Sequence, residues 1–192
     1  MKKGFTLIEV LVSIGLFSII VGIAAGGFAH ALRTQRQVAA LIAAQSNAGL
    51  AIEQAAREMR TGYLFCHASD NAAPDPTCGC NVSGNVWTCS NLNFYNASEE
   101  TVGYSMVNNA FARMLSGGSP QPITSANVKV VSLVFTIFGN TEGDHWTPRV
   151  TISMGVAPNS NDPGVANDVL NLETTVSARE IDCSTSGGIV NC

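Results

Sequence analysis

The sequence predicts an α+β protein in which one long N-terminal helix, membrane-spanning in its first half and amphipathic in its second, packs on an antiparallel β-sheet. Three observations predict it. Residues 5–32 are apolar all round and hold a single acid, Glu9, as a lipid-embedded helix should. Residues 33–62 place Val38, Leu41, Ile42, Ala48, Ile52, Ala55, Ala56 and Met59 at spacings of three and four, with Gln35, Arg36, Gln45, Asn47, Glu53, Gln54, Arg57 and Arg60 mostly between them. From Leu92 to Arg179 the chain breaks into short runs of apolar alternation separated by Gly, Pro and Asn. The expected organisation is a basic leader at 1–4, a spanning segment at 5–32, an amphipathic half-helix at 33–62 and an extracytoplasmic β-rich domain at 63–192. At 1.5 Å per residue the helix would be roughly 85 Å long, more than a globular domain of this size needs and suited to a core of packed helices.

At the N-terminus, Lys2 and Lys3 precede Gly4, and the peptide bond after that glycine is open and unhindered. Cleavage there would create an α-amine on Phe5 at the edge of hydrocarbon. Such a cation needs an anion, and Glu9 is the only acid before Glu53. A carboxylate within a span is costly, which makes a partner for Glu9 the default expectation. A conventional secretory signal has an apolar part of about 7–15 residues, whereas here no further charge follows Glu9 until Arg33. The rival is an uncleaved signal anchor that tolerates the glutamate. Gly15, Gly22, Gly26 and Gly27 each cost about 1 kcal/mol of helix stability relative to alanine. They also let helices approach closely, so the Gly26–Gly27 pair is either a weak point or packing in a crowded bundle. His30 reads as an interfacial polar residue. Thr61-Gly62 is expected to end the helix, with Gly62 as its C-terminal cap.

In the domain, Cys66 to Asn91 reads as an irregular loop held in shape by its sulfurs. Strands are expected at Leu92–Tyr95, Val102–Val107, Phe111–Leu115, Val128–Phe138, Thr147–Val156 and Asp168–Arg179, with Asn108-Asn109 forming a tight hairpin turn. Val150, Ile152, Met154 and Val156 share one face, as do Leu170, Leu172, Thr174, Val176 and Ala178. The strands look like an antiparallel meander whose buried face packs on the stripe of the half-helix. For Trp87, Phe94, Tyr95 and Tyr104 the sequence leaves burial and partial exposure both open, and exposed aromatics would suit adhesion or subunit contacts.

The charge balance is 14 acids to 10 bases. After Arg60 only Arg113, Lys129, Arg149 and Arg179 follow, scattered, which argues against nucleic-acid binding by the domain. Cys66, Cys78, Cys80, Cys89, Cys183 and Cys192 all lie beyond the apolar helix, an even count that suggests disulfides in an oxidising compartment. The first four allow three pairings. Cys78 and Cys80 are too close to favour each other, so each is expected to pair with Cys66 or Cys89. The rival for these four, with His67, is a zinc site, although the usual knuckle spacing is lacking. Asn159, Asn161, Asp162, Asn167 and Asp168 are conceivable calcium ligands and otherwise a solvated turn. Glu142-Gly143-Asp144-His145-Trp146 reads as a polar hairpin loop with Trp146 folding back. No cofactor and no catalytic constellation is expected, and no phosphate-binding glycine loop follows a strand.

The stretch Lys2-Lys3-Gly4-Phe5-Thr6-Leu7-Ile8-Glu9-Val10 resembles the prepilin-type leader of type IV pilins and type II secretion pseudopilins. The resemblance implies cleavage after Gly4 by a membrane prepilin peptidase, N-methylation of Phe5, and pairing of Glu9 with the terminal amine of a neighbouring subunit during assembly. It also implies a pilin-like fold, a leader on the cytoplasmic side, and a single-pass protein of the bacterial cytoplasmic membrane. From there the subunit would pass into a surface pilus or periplasmic pseudopilus. Membrane lipid, other pilin or pseudopilin subunits and an inner-membrane assembly platform would be its partners. Many pilins carry proline where this chain has Gly26, and many close a C-terminal loop with a disulfide, the role implied for Cys183 and Cys192 around Gly187-Gly188. The run from Tyr104 through Asn108-Asn109 and Arg113 to Ile123-Thr124-Ser125 looks more like minor pseudopilins of the J or W type than like a compact major pilin. The alternative is a membrane-anchored extracytoplasmic receptor or enzyme with an uncleaved signal anchor.

Overall fold

A computed structural model describes residues 4, 6–66, 75–141, 146–160, 164–179, 184–186 and 189–191. Helix α1 runs Leu7–Met59, and the chain forms two units, Met1–Ala40 and Leu41–Cys192.

In the first unit, Thr6 starts the helix. Its carbonyl accepts from Val10 N at 3.3 Å and its Oγ1 from Glu9 N at 3.4 Å, as an N-cap should. The side chains that follow are exposed, among them Leu7, Leu11, Ile14, Phe17, Ile20 and Ile23. The two hydroxyls of this stretch turn inward on the helix, Ser13 Oγ donating to Glu9 O at 2.7 Å and Ser18 Oγ to Ile14 O at 2.8 Å. No hydroxyl is thereby offered to hydrocarbon without a partner. By length and composition α1 is the one helix among the described residues able to cross a membrane.

In the second unit α1 buries Ala44, Ala48, Ala51, Ile52, Ala55, Ala56 and Met59. Val38 and Ile42, expected in the stripe, are exposed, so the buried face begins only at Ala44. The helix closes through Thr61 N to Glu58 O at 3.2 Å and Gly62 N to Met59 O at 3.1 Å. Gly62 does not take the left-handed conformation expected of a cap. A Cβ there would sit 2.7 Å from Phe94 Cε2, so glycine is demanded by the ring packed against it and not by backbone conformation.

The strands are β1 (Cys80–Ser83), β2 (Val86–Cys89), β3 (Leu92–Tyr95), β4 (Thr101–Val107), β5 (Ala110–Leu115), β6 (Gln121–Pro122), β7 (Val128–Phe138), β8 (Arg149–Pro158), β9 (Leu170–Ser177), β10 (Ser184–Ser186) and β11 (Ile189–Asn191). They do not form one meander. A four-stranded sheet is ordered β3-β4-β5-β6, a five-stranded sheet β1-β2-β7-β8-β9, and β10 pairs β11. The stretch expected to be irregular thus supplies a hairpin, β1–β2, whose second strand joins β7 through Val86↔Phe138 to Cys89↔Phe135. Its strands are only four residues long and cysteine- and turn-rich, so periodicity alone could not reveal them. The β4–β5 turn has both Asn108 (φ 49°) and Asn109 (φ 59°) left-handed, the type I′ geometry that matches strand twist. A β-bulge in β7 falls between Val130 and Ser132, where the alternation of buried and exposed residues slips by one.

Buried residues of α1 and of both larger sheets join in one core. A run of rings links the sheets, Phe65–Phe94 at 5.2 Å, Phe94–Tyr104 at 6.1 Å, Tyr104–Phe111 at 5.3 Å and Phe111–Phe135 at 6.5 Å between centroids. Of the aromatics left open between burial and exposure, Trp87, Phe94 and Tyr104 are buried and Tyr95 half-buried. They hold the core together and offer no adhesive patch.

Candidate functional site

The first site is the helix start. Gly4, Thr6 and Glu9 are all exposed, and Phe5 lies outside the described residues. Thr6 and Glu9 stand three apart as in a capping box, which places the Glu9 carboxylate in the first turn, where the helix dipole favours an anion. An exposed carboxylate on an apolar helix can neutralise a cation brought to it from another chain.

Residues 1–25 match the family model of the prokaryotic N-terminal methylation motif. That match covers the leader and most of the apolar segment, and it is consistent with a type IV pilin or pseudopilin. The architecture behind it, one long apolar helix followed by antiparallel sheets, is that of the pilin-like fold. Comparison with curated proteins and with solved structures found no match.

The second site joins helix to sheet. Glu58 of α1 accepts from Arg113 Nε at 2.8 Å, from Arg113 Nη2 at 2.5 Å and from Tyr104 Oη at 2.6 Å. Tyr104 and Arg113 are cross-strand partners on β4 and β5, so one register places both donors on one carboxylate. Burial pushes the Glu58 carboxyl up, but the hydrogen bonds from Arg113 and Tyr104 and the Arg113 charge outweigh it and leave the pKa below its ordinary value. Burial, then the neighbouring Glu58 anion, drives the Tyr104 hydroxyl far up. The hydrogen bond to Glu58 raises Arg113 further still. All three therefore hold one protonation state near neutrality, which suits a fastening and not proton transfer. Sequence reasoning passed over Glu58. The available signal was its position one residue before Met59 and three after Ala55, an acid at the border of the stripe. The neighbouring Glu53–Arg57 pair, 2.6 Å apart, is exposed.

The third site is the cysteine cluster. Disulfides join Cys66 to Cys78 and Cys80 to Cys89, one of the two pairings the spacing left open. Cys183 and Cys192 lie outside the described residues, as do His67 of the zinc set, Asn161 and Asp162 of the calcium set, and Glu142 to His145. Asn159 uses its carboxamide on Ala126 O at 2.8 Å. Trp146 packs edge-on against Phe138 at 5.9 Å, and the Arg149 guanidinium sits 4.9 Å from the centroid of the same Phe138 ring.

Proposed function

We propose that the chain is a structural subunit, a minor one, of a type IV pilus or type II secretion pseudopilus, and not an enzyme. The observation that carries this reading is the N-terminal methylation motif at residues 1–25 leading into an exposed apolar helix. A prepilin peptidase removes Met1 to Gly4 and methylates Phe5. The subunit waits as a single-pass protein of the cytoplasmic membrane until the assembly platform draws it into a filament with other subunits. There Glu9 neutralises the Phe5 amine of a neighbour. An unpaired carboxylate in that setting would be strongly unfavourable, so the pair also selects register. Heterologous contacts that do not close generate filaments. The resemblance of the Tyr104-to-Ser125 run to minor pseudopilins supports the minor role.

Intact mass and N-terminal sequencing of the protein from its native membrane test the reading. A chain beginning at N-methylated Phe5 is expected. A chain beginning at Met1, from cells with active peptidase, would overturn it and bring forward the anchored receptor or enzyme.

A further inference from the structure

The two disulfides among the described residues abut. The Sγ atoms of Cys66, Cys78 and Cys80 lie within 4.8 Å of one another, and Cys89 Sγ is bonded to that of Cys80. Backbone bonds, independent of the sulfur bridges, hold this convergence. Cys66 N donates to Asn93 O at 2.7 Å, Cys78 N to Asp75 O at 3.0 Å, and Asn91 N to Cys78 O at 3.0 Å. Cys80 and Cys89 are direct cross-strand partners on β1 and β2. Gly79, left-handed at φ 58°, turns the chain between Cys78 and Cys80 so that both face the same spot. Cys66, Cys78 and Cys89 are buried, and Cys80 is half-buried. Zinc takes four thiolates in a tetrahedron with bonds of about 2.3 Å, a ligand set these four cysteines supply once the two S–S bonds are broken.

We propose that the reduced chain binds one zinc ion through Cys66, Cys78, Cys80 and Cys89, and that oxidation exchanges this site for the two disulfides. Thiolates held this far from water are costly without a cation, and zinc supplies it while holding the loop in the shape the disulfides later fix. The oxidant is a small-molecule disulfide, RSSR. Two RSSR accept four electrons from the four zinc-bound thiolates. The Cys66–Cys78 and Cys80–Cys89 bonds form, four RS⁻ leave, and Zn²⁺ is released. The site would hold the domain in register between synthesis and oxidation.

The test uses the full chain in detergent with Cys183→Ser and Cys192→Ser, so that only these four thiols remain. The protein is reduced with a phosphine without oxygen and titrated with Co²⁺. One equivalent is expected to produce sulfur-to-cobalt charge-transfer bands and tetrahedral d–d bands, both abolished by added Zn²⁺. Oxidised glutathione added to the zinc form is expected to release one zinc as four thiols disappear. Cys80→Ser and, separately, Cys66→Ser are expected to lose the bands. The proposal is overturned if the reduced chain takes up no cobalt, whether it stays folded by far-UV circular dichroism or not. It is overturned equally if the bands survive both single substitutions, or if zinc leaves without the loss of four thiols.

Discussion

Replacing Tyr104 by phenylalanine isolates the fastening between helix and sheet. The ring contacts with Phe94 and Phe111, at 6.1 and 5.3 Å, are retained, so no cavity forms and the lost group is one hydroxyl. That hydroxyl donates to a carboxylate at 2.6 Å, and hydrogen bonds to charged groups contribute about 1.5–3 kcal/mol. Glu58 keeps both bonds from Arg113, and its side chain is 20% exposed, so water can recover part of the loss. The expected destabilisation is about 1–2 kcal/mol at pH 7, read by urea unfolding of the detergent-solubilised chain with near-UV circular dichroism. The effect should depend on pH. Because the folded pKa of Glu58 lies below its ordinary 4.5, its ionised form contributes stability that is fully present above pH 4.5 and is lost as pH falls through the folded value. The penalty of Tyr104→Phe should therefore shrink in acid, and it should shrink likewise in a Glu58→Gln background. A penalty inside the ±0.5 kcal/mol typical of surface substitutions, or one unchanged in both settings, would refute the account.

Gly62→Ala drives a methyl into the Phe94 ring and should cost about 1–3 kcal/mol by overpacking, measured by the same unfolding curves. Replacing Cys80 and Cys89 together by serine opens a loop with a sequence separation of 9. About 2–3 kcal/mol should be lost in the chain-entropy picture, with β1–β2 amides losing hydrogen-exchange protection before those of β7–β8. Glu9→Gln is expected to leave membrane insertion intact and to reduce incorporation into filaments, scored by fractionation and immunogold labelling. Normal incorporation would remove the proposed role of that carboxylate.

What the sequence discloses here follows the length scale of the physics involved. The helix was legible because its apolar run and three-four spacing extend over tens of residues, β8 and β9 because each alternates over several, β7 because its apolar run is long, and β4 and β5 because they flank a turn signal. The Asn108-Asn109 turn was legible because few residue types accept two consecutive left-handed positions. Three features escaped for a common reason, that each depends on a partner distant in the chain. The β1–β2 hairpin is made a pair of strands by β7. Gly62 looks like a cap until Phe94, thirty-odd positions away, is seen to occupy the place of its missing Cβ. Glu58 is an ordinary helix-surface acid until the β4–β5 register sets Tyr104 and Arg113 together above it. The helix start is the opposite case, since Gly4, Thr6 and Glu9 sit within six residues and their chemistry is local. The family-model match at residues 1–25 falls on this local stretch. The constraints on a helix start act on neighbouring residues. Those of the sheet domain act between distant ones, and many sequences can satisfy them.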